Sequence, residues 1–470
     1  MSDSNAPALE RGLKNRHIQM IALGGAIGTG LFYGSAKSIA LVGPAILLAY
    51  LLGGMVIYLI MSMMGEMSTH EPVAGAFSHF SYKYWGEFPG FLAGWNYWFL
   101  YILVSMAELS VIGLYLQEWF GLTPWITSLV TLVIITSVNL LSIRIYGEFE
   151  FWFAFIKVFA IVLLIGLGLY LIGKDSLLGN TGTESMVSLS NLWRLEGGFM
   201  PFGIKEFLLS LVIVMFSFGG TELIGITAAE ADDPKTSIPK AIRQVIWRIL
   251  LFYVLSIAVI MVLVPWNEIG EQGSPFVVIF QKMGLGVITL SNGSEISIPA
   301  VFFGLVVFTA AISVYNSGIY SNGRMLYGLA EQGNAPKVFM KLNCNRAPFI
   351  GILFSSFCTL IAVVVNFLIP DGAFMHIMSV ATAAATITWG LIVLVQYRFR
   401  KAINKEGVEL SFKAPFYPFS NIFCLAFLGL LFVMMTQMDS MKYAAYVIPA
   451  WVILLYIGFL IRKGLQKRRD

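Results

Sequence analysis

Apolar residues are gathered along the chain into long runs separated by short polar stretches. The runs cover 18–41, 44–67, 90–117, 122–142, 151–173, 206–230, 241–265, 299–324, 348–369, 373–397, 418–438 and 443–462, read to within a few residues. A run of about 18 or more apolar residues is long enough to cross hydrocarbon as a helix. The pattern predicts an all-α polytopic membrane protein with 12 transmembrane helices. The longest connections, 174–205 and 266–298, are too short to bury a core of their own.

Positive charge orients the runs. Of 30 Lys and Arg, 23 fall on the side that holds the N-terminal tail and 5 on the other; Lys37 and Lys157 lie inside runs. Cytoplasmic loops carry such an excess, so both termini are expected in the cytoplasm. The polar tail 1–17 reads as part of the mature chain rather than as a cleaved signal. The expected layout is tail 1–17, a first five-helix repeat 18–173, an extracytoplasmic loop 174–205 and a second repeat 206–397. A cytoplasmic loop 398–417, helices 11 and 12 over 418–462 and a tail 463–470 complete it.

Composition removes most other classes. Apolar residues make up 58% and charged residues 12% of the chain, against about 25% charged in soluble domains. That balance excludes a cytosolic enzyme, a disordered regulator and a nucleic-acid binder. Cys344, Cys358 and Cys424 have no metal or redox spacing, and His17, His70, His79 and His376 are scattered. No phosphate-binding glycine loop occurs. No metal, cofactor or enzymatic activity is expected.

Two runs contain helix breakers. The first carries Gly24, Gly25, Gly28, Gly30 and Gly34; the sixth carries Ser217-Phe218-Gly219-Gly220-Thr221 at its middle. Such residues also allow close helix packing. Breaks at corresponding positions of two halves point instead to a transporter binding site, if spans 1–5 and 6–10 are inverted repeats. The N–H groups of Gly28, Thr29 and Gly30 would suit a carboxylate. Free carbonyls around Ala26, Ile27, Phe216 and Ser217 would suit an ammonium. Together they would hold an α-amino acid.

The segment Gly24-Gly25-Ala26-Ile27-Gly28-Thr29-Gly30-Leu31-Phe32 resembles a signature of the amino acid–polyamine–organocation superfamily. Glu71-Pro72-Val73-Ala74-Gly75-Ala76-Phe77 and Phe216-Ser217-Phe218-Gly219-Gly220-Thr221-Glu222-Leu223 resemble two more, followed by Glu230 through Pro234 and Ser237 through Ala241. The segments 13–19, 78–86 and 94–98 resemble those of bacterial aromatic amino acid permeases. The resemblance implies a LeuT-like 5+5 inverted repeat with broken helices 1 and 6 plus two extra helices, in a bacterial cytoplasmic (inner) membrane. It implies proton symport of an aromatic L-amino acid by alternating access. Permeases for proline, GABA or small neutral amino acids share much of the pattern, and a receptor that binds without accumulating would keep the site.

Charges within the runs supply the remaining candidates. A lysine at membrane depth costs about 2.5–3.5 kcal/mol to insert, so Lys157 either exchanges a proton or snorkels to the interface. The resemblance places it where sodium-coupled relatives bind an ion, beside Ser313, Asn316 and Ser317. Tyr101, Ser105 and Glu108 are spaced to share a helical face. On this reading Tyr101 and Ser105 line the side-chain pocket. Glu108 is a second protonation site, a hydrogen-bond acceptor or a structural carboxylate. Glu222 follows the sixth-span break, where it would accept from the broken first span or meet the substrate ammonium. Phe216 and Phe218 would enclose a ring, with Gly219 beside them. Glu66 and Glu230 read as gate contacts or solvated carboxylates, and Trp95, Trp98 and Trp266 as interfacial belts. The expected partners are the amino acid, protons and membrane lipid, with no nucleic acid and no obligate protein partner.

Overall fold

The computed structural model describes residues 27–73, 76–141, 143–177, 187–222, 233–270, 273–283, 286–289, 295–369 and 372–466. Its helices are α1 (Thr29–Phe32), α2 (Gly34–Val42), α3 (Ile46–His70), α4 (Ala76–Tyr84), α5 (Glu87–Phe120), α6 (Pro124–Asn139) and α7 (Ile143–Leu177). They continue with α8 (Gly203–Phe216), α9 (Pro234–Arg248), α10 (Ser256–Leu263) and α11 (Pro275–Lys282). The last five are α12 (Ile298–Glu331), α13 (Phe349–Leu368), α14 (Ala373–Glu406), α15 (Phe419–Thr436) and α16 (Ala444–Gln466). A π-helical stretch, Ile249–Leu255, joins α9 to α10. The antiparallel pair β1 (Val287–Thr289) and β2 (Glu295–Ser297) precedes α12, in a connection where the apolar pattern predicts no strand.

Among the described residues, 9 helical stretches are long and apolar enough to cross a membrane. The chain is a polytopic all-α membrane protein. Several helices outrun their apolar segments. α5, α12 and α14 have 34 residues each, about 51 Å at 1.5 Å per residue, against about 30 Å of hydrocarbon. Residues 398–406, read from sequence as loop, form the end of α14. A change from apolar to polar marks the edge of the hydrocarbon, not the end of hydrogen bonding along the helix.

Burial sorts the helices. The most apolar windows of α5 and α14 are 78% and 83% buried, against 22% in α16. α5 and α14 therefore form the centre, and α16 lies at the rim. Small residues set the closest crossings. A Cβ on Gly318 of α12 would overlap the Ser105 Oγ of α5, and one on Gly351 of α13 would meet the Gly323 carbonyl of α12 at 2.9 Å.

One end of α3 is pinned to α14. The Glu66 carboxylate is fully buried and pairs with the Arg400 guanidinium. It also accepts from Gln396 Nε2 at 3.0 Å and from the Ala414 N–H at 2.6 Å. Glu66 is thus a buried clamp rather than a solvated carboxylate; Glu230 lies outside the described residues. Trp98, read as an interfacial ring, is buried and donates to Ser355 Oγ at 3.0 Å, while Trp95 donates to the Asn334 carbonyl at 3.0 Å.

Candidate functional site

The two predicted breaks meet. Gly28 is extended (φ −126°, ψ −164°), and its carbonyl accepts from the N–H groups of Leu31 and Phe32 at 3.2 and 3.3 Å. One turn of helix follows in α1, then a bend at Tyr33, where φ is −115° and ψ −48°. Ala26 lies outside the described residues; Ile27 is fully buried. A Cβ on Gly30 would stand 2.7 Å from Ser217 Cα, so the backbones of the two breaks touch there and only glycine fits.

In the second break α8 stops at Phe216. The N–H groups of Ser217, Phe218 and Gly219 then bond three residues back, to Val214, Met215 and Phe216, at 3.0, 3.1 and 3.1 Å. Gly220, at φ +89°, turns the chain through a region open to glycine. Its N–H donates to Glu222 Oε1 at 3.2 Å. Tyr253, in the π-helical stretch, donates its hydroxyl to the Ser217 carbonyl at 2.9 Å.

Between these segments lies a cavity of about 50 Å³, enough to hold several waters. The breaks line it with Gly28, Gly30, Phe216, Ser217, Gly219, Gly220 and Glu222. α5 adds Leu100, Tyr101, Val104 and Glu108, and α12 adds Val314 and Ser317. Glu108 reaches α1, where Thr29 Oγ1 donates to its Oε1 at 2.9 Å. The second carboxylate oxygens of Glu108 and Glu222 are buried with no hydrogen-bond partner among the described residues. Unsatisfied buried oxygens are costly, and both residues line the cavity.

A second polar cluster lies between α7 and α12. Lys157 is fully buried, so it does not snorkel; its Nζ donates to Ser313 Oγ at 3.2 Å. The Ser313 hydroxyl donates to Glu150 Oε2 at 2.8 Å, and Asn316 Nδ2 donates to Glu150 Oε1 at 2.9 Å.

Several sequence expectations change. Phe218 faces away from the cavity, its ring 5.2 Å from Tyr253 and 6.1 Å from Tyr50. Phe216 alone of the pair lines the cavity. Ser105 lies at the crossing with Gly318 rather than in the cavity, because the lining face of α5 runs through Leu100, Tyr101, Val104 and Glu108. Glu222 accepts from its own turn rather than from the first break. The carbonyls of Phe216 and Ser217 are not free: Gly219 and Tyr253 donate to them. Glu150 was missed because the apolar run begins one residue later. Its spacing of seven from Lys157, on one helical face, is the signal that could have found it.

A model of the family described as amino acid permease matches residues 17–470. The chain belongs to that family. The permease is 48% identical over 460 residues to the aromatic amino acid transport protein AroP of Escherichia coli, covering 98% of this chain and 97% of the relative. It is 46% identical over 467 residues to the protein of the same name from Salmonella typhimurium, covering 99% and 98%. With the uncharacterized amino acid permease YtnA of Bacillus subtilis it shares 44% over 462 residues, covering 98% and 96%. Membership makes the chain a membrane transporter rather than an enzyme, which agrees with the lack of catalytic motifs in the sequence.

Proposed function

We propose that the permease imports aromatic L-amino acids with protons across a bacterial inner membrane. The observation that carries the reading is the apposition of two helix breaks around a buried cavity with unsatisfied carboxylate oxygens. The near full-length similarity to proteins named for aromatic amino acid transport supports the cargo. In this reading the fold is LeuT-like, with twelve spans, two inverted five-helix repeats and both termini in the cytoplasm.

The N–H groups of Gly28, Thr29 and Gly30 take the substrate carboxylate, aided by the helix dipole. The Ile27 carbonyl and the free oxygen of Glu222 take the ammonium, since the Ser217 carbonyl already accepts from Tyr253. Tyr101, Phe216, Val104 and Val314 enclose the side chain. Glu108, bonded to Thr29, stands beside the arriving carboxylate and responds to it. Lys157, bonded to Ser313 of α12, is the coupling cation, with Asn316 and Ser317 farther along the same helix as the other coupling candidates. A proton drives transport only by binding the two orientations of the bundle unequally.

The test is uptake of labelled phenylalanine into proteoliposomes under an inward pH gradient without sodium, with competition by the twenty amino acids. Accumulation blocked mainly by tyrosine and tryptophan is the expected result, and Lys157→Ala abolishes it. Blocking by proline, GABA or small neutral residues instead would move the cargo. Binding without accumulation would make the protein a receptor.

A further inference from the structure

The following rests on the proton-coupled reading above. Lys157 and Glu150 stand seven residues apart on α7, two turns along one face. The Ser313 hydroxyl of α12 links them, accepting from Lys157 Nζ at 3.2 Å and donating to Glu150 Oε2 at 2.8 Å. Asn316 Nδ2 holds the other Glu150 oxygen at 2.9 Å, and Asn316 Oδ1 accepts from Asn139 Nδ2 at 2.8 Å. Lys157 is 0% exposed, Ser313 1%, and Glu150 and Asn316 2% each. The donors point one way, from the ammonium through the hydroxyl to the carboxylate. A hydroxyl that both accepts and donates is what a proton needs to pass between two groups.

We infer that Glu150 is the station that receives the transported proton from Lys157, through the Ser313 hydroxyl. In the step, a Lys157 N–H bond breaks as its proton bonds to Ser313 Oγ. The Ser313 O–H bond breaks as that proton bonds to Glu150 Oε2. Lys157 is left a neutral amine, Ser313 a hydroxyl again and Glu150 a carboxylic acid. Total charge is unchanged: two opposite charges in a low-dielectric site become two neutral groups, which relieves the desolvation penalty of both ions and gives up their mutual attraction. Because Glu150 is 2% exposed, release needs water to enter from the end where α7 begins, cytoplasmic in the proposed orientation; that water takes the proton as hydronium and leaves the carboxylate. Glu108 of α5 is a second buried carboxylate, apart from this chain of bonds. It lines the cavity and is bonded to α1 through Thr29. Lys157 is thus linked through Ser313 to a carboxylate toward the start of α7.

A counter-ion role for Glu150 makes a different prediction, because Ser313→Ala leaves both charges in place. The experiment compares two rates in proteoliposomes for wild type, Ser313→Ala, Ser313→Thr and Glu150→Gln. One is accumulation of labelled phenylalanine driven by a pH gradient without sodium. The other is phenylalanine exchange at equal pH, which moves no net proton and reports a folded carrier. The relay predicts that Ser313→Ala and Glu150→Gln lower the ratio of driven uptake to exchange at least tenfold. Ser313→Thr, which keeps the hydroxyl, restores the ratio. Wild-type ratios in both Ser313→Ala and Glu150→Gln would overturn the relay alone. So would a loss in Ser313→Thr equal to that in Ser313→Ala. A wild type that exchanges phenylalanine yet shows no gradient-driven accumulation would overturn the coupling reading and the relay with it.

Discussion

Gly30→Ala tests whether the two breaks grip the substrate together. The added Cβ would lie 2.7 Å from Ser217 Cα and 3.1 Å from both Ser217 N and Phe216 Cδ1. Carbon atoms rest about 3.5–4.0 Å apart, so α1 and the turn after α8 must separate by roughly 1 Å. Neither can yield by turning a side chain, since the nearest atoms are backbone. Overpacking of this kind costs about 1–3 kcal/mol, which is about 5- to 150-fold in affinity if the bound state needs the same apposition. Gly34→Ala is the control on the same segment, because its nearest contact, Ile213 Cγ2 at 3.7 Å, is ordinary packing. The assay is equilibrium binding of labelled phenylalanine to purified protein, with thermal unfolding measured alongside. Gly30→Ala should lose affinity by at least fivefold and Gly34→Ala by less than twofold. Wild-type affinity in Gly30→Ala, or an equal loss in Gly34→Ala, would refute the reasoning.

The same structure makes four further predictions. Phe216→Leu should weaken phenylalanine binding several-fold, whereas Phe218→Leu, packed on Tyr50 and Tyr253, should lower the unfolding temperature more than the affinity; the reverse pattern would exchange their roles. Arg400→Ala leaves the buried Glu66 carboxylate without its cation, a loss of about 3–5 kcal/mol that appears as a clear drop in thermal stability. Lys442→Ala, whose partner Asp439 is 99% exposed, should leave the unfolding temperature in place. Outside the spans, burial raises the Glu71 pKa, but bonds from Lys83 and His79 outweigh it and hold the carboxyl below its usual 4.5. A depressed folded pKa gives stability that is present above the unfolded value and lost as pH falls through the folded one. Glu71→Gln should therefore unfold at lower temperature than wild type at pH 7, and the gap should close as pH drops below about 4.5.

Much of the architecture was legible because the sequence carries a strong one-dimensional signal. Among the described residues, the 9 helical stretches long and apolar enough to cross a membrane lie on the apolar runs, and the glycine clusters located both breaks, Gly28 to Gly30 and Ser217 to Gly220. Lys157 stood out because an ammonium in an apolar run is costly. Finer geometry depended on rotation about helix axes. Of the face holding Tyr101, Ser105 and Glu108, the first and last line the cavity and Ser105 does not. Leu100 and Val104 line the cavity, while Ser105 packs on Gly318. Phe216 and Phe218 could not be told apart because a turn three residues long decides which ring faces inward. Glu150 was hidden by its position at the edge of an apolar run, where carboxylates are usually solvated. Tyr253 was not legible at all, because its bond to the Ser217 carbonyl depends on a π-helical stretch that no residue pattern marks.

Coupled entry of a proton with the amino acid is the claim at the centre of this account. Its most direct test is to load proteoliposomes with a pH-sensitive dye and add phenylalanine outside, with no sodium and the membrane potential clamped at zero. The account predicts that the lumen acidifies as labelled phenylalanine enters, and that Lys157→Ala removes the acidification. Phenylalanine entry with no change in lumenal pH, or entry only when sodium is supplied, would contradict it.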